Sequence, residues 1–243
     1  MDADAHLAAL RLEGGRLAAA ARGAPGVPVP SCPGWDMRQL LAHVVAIHRW
    51  VTGILREKAT ERPARTELVA EVVFSDLAAA YDAALSALVG ALAATDPGEC
   101  VWNWRSGVAP AAFWFRRMAQ ETAVHRWDAE AATGPASPID VALAADGIDE
   151  FLSIAARLVA AHPVENLVGS LALVAPDAGA SWHLELAPGR ITCCPPVGLA
   201  TTVEGPASDL YLWLLHRIRR DAATVTILGD PAPAEAWGGV IFD

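Results

Sequence analysis

The sequence predicts an α+β protein in which a bundle of helices precedes a small α+β domain. Long segments with apolar residues at helical spacing fill about the first two thirds of the 243 residues. Short runs of β-branched or alternating residues, separated by Pro, Gly and Asp, begin near Glu165. We therefore expect a helical domain over residues 1–163 and a small α+β domain over residues 164–243.

Four or five helices account for the first domain. Asp36 with Gln39 three residues later has the pattern of a capping box, so a long helix begins there. Ser75 can cap another helix. Pro110 suits a first turn and Gly134 suits the residue after a last turn. The predicted helices cover about 4–22, 37–58, 75–94, 110–134 and 139–162.

The second domain alternates strands with one helix. The segments "SLALVA", "SWHLELA" and "RITCC" predict three short strands. After "TTVEG", the segment "PASDLYLWLLHRIRR" predicts a helix over residues 206–220, and "TVTILGD" predicts one more strand.

Composition excludes several functional classes. Eighteen basic against 28 acidic residues give a formal net charge of -10, which argues against a nucleic-acid or an anionic-membrane partner. Hydrophobic residues make up 53% of the chain and charged residues only 19%, so we expect a packed core rather than disorder.

The cysteines and the N-terminus indicate a reducing compartment. The four cysteines show no C-x2-C pairing, so we expect free thiols. The N-terminus "MDADAHLAAL" lacks the order of a secretory signal, and no apolar run approaches the roughly 18–20 residues that span a bilayer. We expect a cytoplasmic protein.

A polar stripe interrupts the apolar face of the predicted fourth helix. Trp114, Met118, Glu121, His125 and Asp128 follow one another at steps of four and three residues, so they share one face. A carboxylate beside Trp and Met must be paired or bound, because burying it alone is costly. A structural Glu121–His125 pair that holds a core helix would by itself explain these two residues.

The second predicted helix adds a histidine to an apolar face. His43 lies three residues after Leu40 and seven before Trp50, whereas His48 points about 140° away around the helix. A core histidine is the structural alternative for His43. Taken together, His43, Glu121 and His125 offer two imidazoles and one carboxylate from two helices of a bundle.

Two histidines and one carboxylate suit Zn²⁺ with a fourth position open for water, substrate or an external thiol. Non-haem Fe(II) uses the same ligand types, so ligand chemistry alone does not name the metal. Asp128 can accept the free imidazole N–H of His125 or cap a solvated helix end.

The segments "SCPGWDMRQLLAHVVAIHRWV" and "ETAVHRWDAE" resemble the mycothiol-dependent maleylpyruvate isomerase family. The resemblance implies a DinB-like four-helix bundle whose zinc ligands are His43, Glu121 and His125. The tail "GPASDLYLWLLHRIRRDAATVTILGD" is similar to the small C-terminal domain of that family, which implies a catalytic arginine. Arg217 is the best match, because relatives often carry "WGR" after this helix; Arg219 and Arg220 are the alternatives.

The resemblance also implies a function. We expect an enzyme with Zn²⁺ or another divalent metal as cofactor, mycothiol as thiol cosubstrate and a small-molecule substrate. The thiol, activated as a thiolate, would add to a small electrophile, either for maleylpyruvate-type cis-trans isomerisation or for thiol S-transfer. The arginine would clamp a substrate carboxylate.

Two other functional classes fit the same residues. A zinc hydrolase would use metal-bound water and a general base, for which Asp128, Glu130 or a loop residue are the candidates. A non-enzymatic small-molecule-binding module would need only an apolar cavity.

Overall fold

The structure, a computed structural model, describes residues 1–63, 77–195, 201–219, 222 and 224–240. The chain forms two compact units, Met1–Ser137 and Pro138–Asp243. A helical unit therefore precedes an α+β unit, which confirms the predicted fold class.

The first unit is a four-helix bundle in its described residues. Helices α1 and α2 each pack against both α3 and α4, so every helix contacts two neighbours. The apolar stripes of the helices meet in a common core. The bounds are α1 Ala3–Ala21, α2 Met37–Arg56, α3 Leu77–Ala93 and α4 Ala112–Thr133.

The helix ends follow the predicted signals in part. The capping box at the start of α2 is confirmed: the Asp36 carboxylate accepts from the Gln39 N–H at 3.0 Å, and the Gln39 side chain accepts from the Asp36 N–H at 2.8 Å. Helix α4 ends just before Gly134 but begins after Pro110, which closes a strand instead. Ser75 lies outside the described residues.

A two-stranded hairpin between α3 and α4 was not predicted from the sequence. Strands β1 (Cys100–Asn103) and β2 (Gly107–Pro110) pair antiparallel and are only four residues long. The indole ring of Trp50 packs edge to face against those of Trp102 and Trp114, with centroids 5.5 and 5.7 Å away. The hairpin therefore closes one end of the apolar core.

The second unit carries a five-stranded sheet in the order β5-β4-β3-β6-β7. Strands β3 and β6 pair parallel, and the other neighbours pair antiparallel. All the predicted strands are present. The bounds are β3 Gly169–Ala175, β4 Ala180–Ala187, β5 Arg190–Cys193, β6 Thr201–Glu204 and β7 Thr226–Leu228, with helices α5 Val141–Ala161, α6 Ala207–Leu214 and α7 Ala232–Trp237.

The structure divides the chain after Ser137, whereas the sequence predicted a boundary after residue 163. The two divisions differ in the unit to which they assign α5. Helix α5 packs against α6 and β5, so it belongs to the second unit. The change of sequence texture marks where strands begin, but it does not tell which core a preceding helix joins.

Two further observations bear on the sequence-based expectations. All four cysteines are free, as predicted. Among the described residues, no helix is both long and apolar enough to cross a membrane.

A buried ion pair joins α1 to α4. Arg126 is fully buried, and its Nε donates to Glu13 Oε2 at 2.5 Å. Its Nη1 also donates to Glu130 Oε2 at 3.0 Å. Each charge is therefore matched inside the core, where an unpaired one would be costly.

We expect Arg126→Ala to lower the free energy of unfolding by about 3–5 kcal/mol, because it removes the closest partner of the buried Glu13 carboxylate. Urea denaturation measures the change. Arg11→Ala, at an exposed position of α1, is the matched control and should shift the value by less than about 0.5 kcal/mol. Equal stability of the two variants would contradict the assigned role of the pair.

Helix α6 ends at Leu214, several residues before the predicted end. His216 then adopts φ of 58°, in the left-handed region that a side chain disfavours. The N–H of Arg217 donates to the Leu212 carbonyl at 2.8 Å and closes the helix. A left-handed residue after the last turn is the reason why the helix stops.

Because glycine adopts this conformation without steric cost, we expect His216→Gly to raise the free energy of unfolding by about 1 kcal/mol. Thermal unfolding followed by calorimetry measures the change. His216→Ala keeps the steric cost and should not stabilise the protein. A lower melting temperature for the glycine variant would show that the imidazole offsets the strain.

Candidate metal centre

Three polar side chains converge between α2 and α4. His43 Nε2 lies 3.1 Å from Glu121 Oε1, and His125 Nε2 lies 3.3 Å from the same oxygen. One ligand atom from each of the three residues lies within 4.8 Å of the others. The structure thus brings together the set named from the sequence; its role as a set of metal ligands stays a prediction.

The site lies at the border between core and solvent. The side chains of His43 and Glu121 are 27% and 19% exposed, whereas that of His125 is 8% exposed. The step of four residues places Glu121 and His125 on successive turns of one helix. A small molecule can therefore approach from the His43 side, while His125 anchors the inner side.

Glu121 is held as a carboxylate. Burial favours its neutral form, but the hydrogen bonds with His125 and His43 and the charge of Arg117 outweigh this effect and keep the pKa well below its ordinary value. Arg117 Nη2 donates to Glu121 Oε2 at 2.7 Å. The other oxygen, Oε1, is thereby left facing both histidines.

His125 is oriented by Asp128. The two side chains are 2.9 Å apart between Nδ1 and Oδ2, and Asp128 is fully buried. Burial opposes a charge on the ring, but hydrogen bonds to Asp128 and Glu121 raise the pKa of His125 to about 9. Of the two roles left open for Asp128, the structure shows the first: its carboxylate accepts from Nδ1 and directs Nε2 toward Glu121.

The donor set fits a divalent cation. A tetrahedral zinc ion with bonds of about 2.0–2.1 Å separates its nitrogen and oxygen ligands by about 3.3 Å. The two contacts of Glu121 Oε1, at 3.1 and 3.3 Å, are close to that value. A cation here would replace the proton that His125 Nε2 shares with Glu121 and would leave a fourth position free.

His48 has a structural environment. It is fully buried, and its Nε2 lies 3.1 Å from Thr122 Oγ1. Burial lowers the pKa of His48 to about 3, so the ring is neutral. The sequence suggested that this ring points away from the apolar face. Helix α2 nevertheless packs against both α3 and α4, and the Tyr81 ring of α3 has its centroid 5.9 Å from that of His48.

The arginine named from the sequence lies just after α6. Arg217 Nη1 donates to the Leu215 carbonyl at 3.0 Å. His216, just before Arg217, is the residue that adopts the left-handed conformation at this helix end. Of the alternatives, Arg219 is exposed and Arg220 lies outside the described residues.

Sequence reasoning missed three neighbours of the cluster. Arg117 contacts Glu121 from one turn away, a spacing that could have revealed it. Cys32 lies 3.6 Å from Asp128, and the Trp35 ring lies 5.0 Å from that of His43. Both come from the loop before α2, and no sequence pattern indicates that the loop folds back over α4.

Comparisons with known proteins agree with this architecture. The mycothiol maleylpyruvate isomerase N-terminal domain matches residues 7–130, and the MDMPI C-terminal domain matches residues 142–236. A crystal structure of the mycothiol-dependent maleylpyruvate isomerase is similar in fold, with a TM-score of 0.64, 16% identity and 93% of each chain covered. A histidine-to-alanine mutant of it gives the same values.

No curated protein matches the chain. The two family models together nevertheless account for most of it, and each of them falls largely on one compact unit. This chain belongs to the mycothiol maleylpyruvate isomerase family, which is a family of enzymes.

Proposed function

We propose that this protein is a mycothiol-dependent cis-trans isomerase of a maleylpyruvate-like substrate, and that it holds a divalent metal, zinc, through His43, Glu121 and His125. The convergence of these three side chains, in a chain whose two units match the family, carries the proposal. Thiol S-transfer uses the same activated thiol and is the nearest related reaction.

Zinc at these side chains would favour the thiolate form of a low-molecular-weight thiol at neutral pH, which is the nucleophile that such an isomerisation needs. The protein contributes position and charge. Asp128 keeps His125 Nε2 directed at the site, and Arg117 holds one oxygen of Glu121 so that the other faces both histidines. The exposed edge of His43 leaves an approach for the thiol and the substrate.

Arg217 is proposed to bind a carboxylate of the substrate. A guanidinium matches a carboxylate with two parallel hydrogen bonds and stabilises negative charge that develops beside it. The helix end that presents Arg217 is fixed by the hydrogen bond from its N–H to Leu212.

The geometry of the site supports a hydrolase less well than a thiol-dependent isomerase. A hydrolase needs a general base, and both helical candidates named from the sequence, Asp128 and Glu130, have other partners. Asp128 accepts from His125 at 2.9 Å. Glu130 accepts from Arg126 at 3.0 Å and from the Ser137 N–H at 2.8 Å.

We expect the wild-type protein, purified without an affinity tag or chelator, to contain about one zinc per chain. We expect most of the zinc to be lost in each of the variants His43→Ala, Glu121→Ala and His125→Ala, because the two remaining protein ligands would bind the ion only weakly. Elemental mass spectrometry measures the content. His162→Ala, an exposed histidine of the second unit, is the matched control and should keep the metal. Full zinc content in all three ligand variants would refute the site.

We expect turnover of maleylpyruvate to require both metal and mycothiol, with the thiol recovered unchanged. Arg217→Gln should lower kcat/KM about 100-fold, with zinc content unchanged, because it removes a charged hydrogen-bond donor. Arg219→Gln is the matched control and should stay within about twofold.

Coupled absorbance assays with and without mycothiol measure the thiol requirement and the kcat/KM of each variant. Turnover without any thiol would favour the hydrolase, and consumption of the thiol would favour S-transfer. A large loss in Arg219→Gln alone would move the proposed role from Arg217 to Arg219.

A further inference from the structure

The segment Ser31–Trp35, "SCPGW", contacts the surroundings of both histidines of the centre. Cys32 Sγ lies 3.6 Å from Asp128 Oδ2, on the side of His125. The Trp35 ring lies against His43, with ring centroids 5.0 Å apart. One short loop therefore contacts His43 on α2 and, on α4, the residue that orients His125.

Main-chain hydrogen bonds hold this loop in one shape. The Val29 N–H donates to the Trp35 carbonyl at 2.9 Å, and the Trp35 N–H donates to the Cys32 carbonyl at 3.0 Å. Gly34 takes φ of 85°, which a side chain would disfavour. The capping box at Asp36 then fixes the start of α2. The positions of Cys32 and Trp35 are thereby set by the backbone.

Cys32 completes a chain of hydrogen bonds that ends at His125. Asp128 is fully buried, so its carboxylate needs donors. His125 Nδ1 supplies one at 2.9 Å, and the Cys32 thiol supplies another to the same oxygen at 3.6 Å. Two donors thus share Oδ2 and restrict its position, which also restricts the imidazole that this oxygen orients.

Trp35 acts on the other histidine. The side chain of His43 is 27% exposed, so part of its ring faces solvent rather than protein atoms. The Trp35 ring, half-buried and tilted by 51°, packs against it. Such a contact restricts the torsions of His43 and keeps Nε2 near Glu121.

We propose that the loop Ser31–Trp35 positions the metal ligands: Cys32 orients His125 through Asp128, and Trp35 orients His43. Neither residue binds the metal or the reacting atoms. The inference rests on the proposed metal site. Its main competitor is a metal bound by Cys32, His125 and Asp128 themselves, whose ligand atoms also lie within 4.8 Å of one another.

The experiment is a titration of the full-length, metal-free protein with Co²⁺ against a competing chelator, followed by absorbance. We expect Cys32→Ala to weaken Co²⁺ binding about tenfold, as is usual for residues that support a ligand. Cys32→Ser keeps a donor and should stay within about threefold of the wild type. Cys100 is an exposed cysteine of β1, so Cys100→Ala is the matched control and should bind Co²⁺ with the affinity of the wild type.

The same titration tests the aromatic contact. Trp35→Leu should weaken Co²⁺ binding about tenfold, whereas Trp35→Phe keeps a ring and should retain most of the affinity. Rescue by the serine and phenylalanine variants separates positioning from a general loss of folding.

The absorbance spectrum separates positioning from ligation. The wild-type cobalt protein should show d–d bands but no thiolate-to-cobalt charge-transfer band. Such a band, abolished in Cys32→Ser, would overturn the inference by making Cys32 a ligand. Equal affinity in all variants would overturn the inference alone. No uptake of Co²⁺ by the wild type would overturn the proposed metal site, and the inference with it.

Discussion

The candidate metal centre depends on one carboxylate oxygen, Glu121 Oε1, that contacts His43 of α2 and His125 of its own helix. Helices α2 and α4 must pack closely enough for these atoms to meet, and their apolar faces provide the energy that brings them together. The polar cluster itself adds little stability, because burying charged groups costs about as much as their attraction returns. The bundle thus supports the site rather than the reverse.

The charged side chains around the centre are paired with one another. Asp128 accepts from His125, while Arg117 binds the far oxygen of Glu121. Arg126, the residue after His125, pairs with Glu13 of α1. One helix therefore carries two of the three proposed ligands, the group that orients His125 and one partner of the ion pair with α1. A substitution on this helix can change catalysis, stability or both, so the two must be measured separately.

The sequence predicted the elements better than their contacts. Helical spacing identified the stripe of Glu121, His125 and Asp128, and the apolar face of α2 selected His43, because periodicity reports which side of a helix is covered. It did not reveal that α2 packs against both α3 and α4, which is why His48 is also buried. The contact between Cys32 and Asp128 joins residues 96 positions apart in the sequence, and no local pattern encodes it.

The most direct test is a crystal structure of the protein with zinc, with anomalous data collected on both sides of the zinc absorption edge. We expect one anomalous peak at about 2.0–2.1 Å from His43 Nε2, a Glu121 carboxylate oxygen and His125 Nε2, with a fourth position open. A peak bonded to Cys32 and Asp128 instead, or none at all in protein that binds zinc in solution, would contradict it.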